Sequence, residues 1–302
     1  MERTDGRRSS WKWGCSGCAA VAGVFVALLV VLAAVGWLVD GAPAELARET
    51  GRHDVPFAMA DDGRPSGRGR IVLNVAGATL DIVPGPAGVP ILTEVDYDAT
   101  RFDLTESFRE GPDWSYELSL VRKPHFGFFS RGETDNRIRI VVPRGVGFRL
   151  EGQLDVSTSR LELGGLSLTS VDLATNVGTH ELRFGEPSPV PMERLAVENR
   201  AGRVAIVGTG NASPVEVEIS QAAGRLDLDL RGAWRRDATV RLDCKVGAID
   251  VRVAADVRLD VDGPIDFGDR MDTAGLSSSE GRAASPTLRL ELDTRLCTAR
   301  VL

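Results

Sequence analysis

Gly202-Arg-Val-Ala-Ile206, Gly224-Arg-Leu-Asp-Leu228 and Gly247-Ala-Ile-Asp-Val251 are three copies of one phrase: a glycine followed by alternating polar and apolar residues. Two more copies precede them, Ser159-Arg-Leu-Glu-Leu163 and Gly178-Thr-His-Glu-Leu182. The copies therefore begin at positions 159, 178, 202, 224 and 247, a nearly even spacing. A period of two is the mark of a strand with one buried face, and the glycine permits a positive φ or a tight corner. Between copies lie further alternating residues: Val171 and Leu173, Leu195 and Val197, Val217 and Ile219, Val240 and Leu242. One such unit cannot bury its own apolar face, but units stacked about 4.8 Å apart share a continuous core. The expected fold is therefore all-β, a β-solenoid with rungs of about 22 residues; the competing all-β architecture is a sandwich.

Working outward, Leu288, Leu290 and Leu292 with Ala299 and Val301 repeat the alternation and are expected to form the last rung, after a loop over 263–287. Upstream, Ile71, Leu73, Val75, Leu80 and Ile82, then Ile138, Ile140 and Val142, alternate in the same way, so the β domain is expected over 69–302. The stretch 40–68 is rich in Pro and Gly and reads as a linker, with a helical turn or two over 44–49. No charge occurs over 13–39. About 20 apolar residues cross a bilayer as a helix, and Trp11, Trp13 and Trp37 sit where indole rings favour the two interfaces. A transmembrane helix is expected over 15–39. Arg3, Arg7, Arg8 and Lys12 precede it, which makes 1–14 a cytoplasmic basic stub and the β domain extracytoplasmic, in a bacterial cytoplasmic membrane. The alternatives are a cleaved signal peptide ending near Ala42-Pro-Ala44, whose apolar run is longer than usual, and a twin-arginine signal, which lacks a bulky apolar residue at Ser10. Cys15 and Cys18 read as small residues at the inner interface.

Of 302 residues, 43 are acidic and 36 basic, for a net charge of −7. Residues 1–39 hold four basic and two acidic groups, which leaves 32 against 41 beyond them, a charge of −9. Lysine occurs only at Lys12, Lys123 and Lys245; the arginine bias reads as genomic, and an acidic domain without clustered positive charge has no nucleic-acid partner.

The run from Gly224 to Trp234 (GRLDLDLRGAW), followed by that from Ala238 to Val253 (ATVRLDCKVGAIDVRV), resembles the C-terminal domain of LiaF-type cell-wall-active antibiotic response proteins and the wider toast-rack and DUF4097-like "putative adhesin" domains. The resemblance covers roughly 69–262 and the last rung. It implies a non-catalytic extracytoplasmic domain acting in envelope-stress sensing or adhesion, whose partner is an envelope protein such as a sensor histidine kinase, or the protein itself. LiaF-type proteins carry several membrane helices before the β domain; this chain has a single expected span.

Candidate chemistry is sparse. His53 falls in the linker, His125 in Lys123-Pro-His-Phe-Gly-Phe-Phe129, and His180 takes the first apolar place of its unit. His180 reads as a satisfied or edge residue, the alternative being a proton sensor. Neither H-E-x-x-H nor G-x-S-x-G occurs, and the expectation is no enzyme, no cofactor and no metal. Asp260, Asp262, Asp266, Asp269 and Asp272 begin like a calcium loop but lack its fifth-place ligand and closing Glu; they read as a solvated turn. Gly208-Thr-Gly-Asn211 reads as a turn. Phe126, Phe128 and Phe129 with Arg131 are the candidate partner or membrane contact; the competing reading is a loop capping one end of the core. Cys244 fits an inward strand place and Cys297 the glycine corner of the last rung. Both fall on the extracytoplasmic side of the expected span, where a disulfide can persist, but nothing in the sequence places them within bonding distance, and the pairing is left open. Trp114, Trp234, Tyr97 and Tyr116 are the aromatics left to stack on a sugar.

Overall fold

The computed structural model describes residues 30–31, 46–55, 68–124, 135–155, 157–263, 266–267 and 285–302. Of the expected membrane helix 15–39 only Val30 and Val31 are among them, both helical; the remainder lies outside the described residues. Among the described residues no helix is long and apolar enough to cross a membrane. The architecture below belongs to the unit formed by Ala44–Lys123 and Thr134–Leu302; Met1–Pro43 with Pro124–Glu133 form a separate unit.

The unit is a large sheet. Its strands are β1 Leu46–His53, β2 Gly69–Ala76, β3 Thr79–Gly85, β4 Ile91–Asp98, β5 Phe102–Arg109, β6 Ser115–Arg122, β7 Arg137–Pro143, β8 Gly147–Asp155, β9 Ser157–Glu162, β10 Ser167–Arg183, β11 Arg194–Val207, β12 Glu216–Asp229, β13 Ala238–Arg252, β14 Arg258–Asp262, β15 Asp266–Phe267 and β16 Thr287–Val301. They form two ladders that share the long strands. The first runs β5-β6-β2-β8-β10-β11-β12-β13-β16-β14, and the second β1-β4-β7-β3-β9-β10-β11-β12-β13-β16-β15. Pairing is parallel except at β1, β4 and β5, which run against their neighbours.

Each long strand serves both ladders because it turns once. Register is unbroken from Val171 through Leu195, Val217 and Val240 to Leu290, then skips Asn176, Arg200, Ala222, Lys245 and Arg295 together. It resumes in the second ladder, from Leu182 through Ile206, Leu228 and Val251 to Val301. All ten of these paired residues are buried, and the inward side chains of both ladders join one apolar core. The glycines stand at the corner itself, in the middle of each long strand. Gly202, Gly224 and Gly247 have φ of 116°, 126° and 139°. A Cβ on each would lie 2.1, 1.9 and 1.9 Å from the carbonyl oxygen of the glycine one rung earlier. Only glycine lets neighbouring corners stack this closely.

Four expectations need correction. No helical turn forms from Leu46 onward: β1 lies there, because its backbone finds a partner in β4 across eight registered pairs. The C-terminal strand is not the last rung. β16 is inserted between β13 and β14, and β14 and β15 lie outside it. The loop expected over 263–287 contains β15, and Thr287 opens β16. The turn at 208–211 is a one-turn helix, Thr209–Ala212, entered through Gly208 at φ 73°. Asn211 pins it: Nδ2 donates to the Phe184 carbonyl at 2.7 Å, and Oδ1 accepts from the Ala233 amide at 3.1 Å.

Candidate interaction surface

The inner side of the corner is polar. Thr175, Asn199 and Gln221 occupy one inward row immediately before the turn and are fully buried. Thr175 Oγ1 donates to Asn199 Oδ1 at 2.8 Å, and Asn199 Nδ2 donates to Gln221 Oε1 at 3.2 Å. A buried amide ladder of this kind holds neighbouring rungs in one register, because a slip would strand each group without a partner. Cys244 is the next member of the row. It is bonded to Cys297, which stands where the next glycine of the corner would be, with the Cα atoms 6.0 Å apart. The pairing that the sequence leaves open is decided by the fold: β16, distant in sequence, is the strand laid against β13.

His180 faces inward in the second ladder, 1% exposed, with Nδ1 3.0 Å from Ser159 Oγ and no partner for Nε2. Burial pushes its pKa down to about 4. His53 is at the far end of the unit. Its Nε2 lies 3.0 Å from Glu106 Oε1, which also accepts from the Tyr116 hydroxyl at 2.8 Å; Thr93 Oγ1 is 2.7 Å from that hydroxyl. The imidazole stacks on Phe108 at 5.1 Å. This network ties β1 to β5 and β6, and burial raises the Tyr116 hydroxyl pKa.

On the outer face of the first ladder, Arg194 reaches Asp172 at 3.1 Å and Glu218, and Arg241 reaches Glu216 and, at 3.0 Å, Glu291. The Arg194 hydrogen bond holds the Glu218 carboxyl below its usual pKa. On the second ladder, burial alone would raise the Asp227 pKa, but Arg225 and Arg203 at 2.9 and 2.8 Å outweigh it and lower it. Planar guanidinium forks span two rungs at once, which a lysine point charge does less well. The open trough of about 810 Å³ on this face is lined by Arg194, Glu218, Arg241 and Glu291, charges already engaged with one another.

The outside of the corner differs. In one registered row stand Val177, Ala201, Ala223, Val246 and Leu296. Val177 and Val246 are each 50% exposed and Leu296 77%. The residues just before them include Arg200, Lys245 and Arg295, all exposed and without an ion pair among the described residues. Two places further back lie Glu198, Asp243 and Asp293. The corner thus carries parallel apolar, basic and acidic stripes.

The sequence reading does not single out this surface. Its signal is the apolar residue before each glycine, in Val177-Gly178, Ala201-Gly202, Ala223-Gly224 and Val246-Gly247. The patch that the sequence does single out, Phe126, Phe128, Phe129 and Arg131, lies outside the described residues, as does His125. Asp260 and Asp262 point outward from β14 instead of forming a turn; Asp269 and Asp272 lie outside the described residues. Trp114, Trp234, Tyr97 and Tyr116 are all buried, at 1, 8, 7 and 0% exposure, so none presents a ring to a sugar.

No family model matches the chain, and no curated protein does. Among solved structures it is similar to a "putative cell adhesion protein" from Clostridium sporogenes ATCC 15579, with a TM-score of 0.50 and 12% identity over 85% of this chain and 99% of that one. A "putative adhesin" from Bacteroides fragilis NCTC 9343 aligns at a TM-score of 0.40 and 12% identity, over 85% and 97%. The first likeness is one of fold.

Proposed function

We propose that the chain is a non-catalytic, adhesin-like β-solenoid of the bacterial envelope, held at the membrane by its N-terminal apolar segment and associating with further copies of itself through the corner stripes. The observation that carries this reading is the outward row Val177, Ala201, Ala223, Val246 and Leu296. Two copies facing each other would bury the apolar row against itself, a self-complementary arrangement that leaves the charged rows at its rim. Five rungs span only about 20 Å, so a row one or two side chains wide covers far less than the roughly 800 Å² per partner of a stable interface. Weak contacts of this size suit copies concentrated on one membrane, where many act together. A disulfide fits an extracytoplasmic location, and the fold likeness to a cell adhesion protein favours adhesion over catalysis.

The test is sedimentation of the detergent-solubilised full chain from micromolar to millimolar concentration. The average mass should rise with concentration, and Val246→Ser/Leu296→Ser should abolish the rise without lowering thermal stability. A wild-type chain that stays monomeric throughout refutes the reading. The envelope-stress role suggested by the LiaF resemblance makes a different expectation, namely co-purification of a sensor kinase with the wild-type chain.

A further inference from the structure

Across β11, β12 and β13 the chain returns to the same row once per rung, at Leu195, Val217 and Val240. Another step of the same length leads from Val240 to β14, whose Val261 does belong to that row. It stands one place too far out. Leu290 of β16, more than two rungs further along the chain than Val240, lies between them. β14 and β15 are thus spaced in sequence to cover β13 directly, and they emerge from synthesis before β16 does. β16 occupies a slot within a stack whose next member was already supplied. It is also the strand that is covalently locked, through Cys297 to Cys244 of β13. The segment 268–286 that leads to it can span about 60 Å when extended.

We infer that β16 is an exchange strand, which a second copy of this chain can supply to the slot between β13 and β14, and that the Cys244–Cys297 disulfide decides which copy's β16 is retained. An exchanged β16 makes the same ladder pairs, the same buried Leu288, Leu290 and Val301 contacts and the same disulfide as its own. The two arrangements differ only in the connection, the condition under which strands swap at low cost. Closing the bond takes two protons and two electrons from the thiols of Cys244 and Cys297. Glutathione disulfide accepts them and leaves as two glutathione thiols. This inference uses the two hydrogen-bonding edges of β16, not the corner stripes, and stands or falls apart from them.

The experiment uses the full-length wild-type chain, prepared once with natural nitrogen and once with ¹⁵N. Both are reduced, mixed at high concentration in detergent, reoxidised with glutathione disulfide and digested. Exchange gives a Cys244–Cys297 peptide pair with one light and one heavy partner, approaching half of that product, and a covalent dimer on a denaturing gel. The same result is expected in the Val246→Ser/Leu296→Ser background, where association through the stripes is lost. Cys244–Cys297 pairs that are wholly light or wholly heavy overturn the inference. So do mixed pairs confined to Cys244–Cys244 or Cys297–Cys297, which report random oxidation.

Discussion

Gly224 illustrates how one residue type governs the corner. Gly224→Ala must place a methyl group 1.9 Å from the Gly202 carbonyl oxygen at a φ of 126°, so both strain and clash oppose it. The expected loss exceeds about 3 kcal/mol or leaves no folded protein. Gly88 is the control: its φ is 74° with nothing within 4 Å of an added Cβ, and Gly88→Ala should cost about 1 kcal/mol. Equal urea midpoints for the two variants would show that the corner can open. His180 makes a second residue-scale prediction. Folded, it takes up a proton only near pH 4, whereas an unfolded imidazole does so near its ordinary pKa of about 6.5. Between those values the unfolded chain holds the extra proton, so stability is full above about pH 6.5 and falls as the pH drops toward 4. The loss is on the order of 2–3 kcal/mol. The matched pair Ser159→Ala/His180→Val, apolar like Val204 in the same row, should flatten the difference between urea midpoints at about pH 7.5 and pH 5. An unchanged difference would place the titration elsewhere.

At the scale of elements, β10 to β13 and β16 were legible as strands, whereas β1, β14 and the place of β16 in the sheet were not, for one physical reason. Alternation in Leu226-Asp-Leu228 or Ile249-Asp-Val251 reports that a strand has a buried face, and an even repeat of that phrase reports that such strands stack. Neither reports which strand is the neighbour. Leu288, Leu290 and Leu292 would suit the inner face of any rung, and β13 is their partner only through long-range pairing. Leu46–His53 carries no clear alternation, since most of its side chains are exposed, and is held by its ladder with β4. The disulfide belongs to the same category. It closes a loop with a sequence separation of 53, so in the chain-entropy account its removal should cost about 4 kcal/mol. Cys244→Ala/Cys297→Ala, or reduction, should lower the urea midpoint accordingly. A shift well under a quarter of this would mean that β16 is held by its ladders alone.

Across the whole molecule, the arginine bias takes on a structural use that composition concealed. Arginines meet carboxylates of neighbouring strands on the ladder faces, while the corner leaves Arg200, Lys245 and Arg295 beside an exposed apolar row. By itself the sequence determined the all-β class and the inward face of each repeated strand, because these depend on the local period of two. Only the tertiary structure decided the neighbours: β1 against β4, β16 between β13 and β14, Cys244 with Cys297, and the corner residues brought into one stripe. Backbone hydrogen bonds are the same for every strand, so partner choice rests on packing between residues far apart in the chain, which no local pattern records.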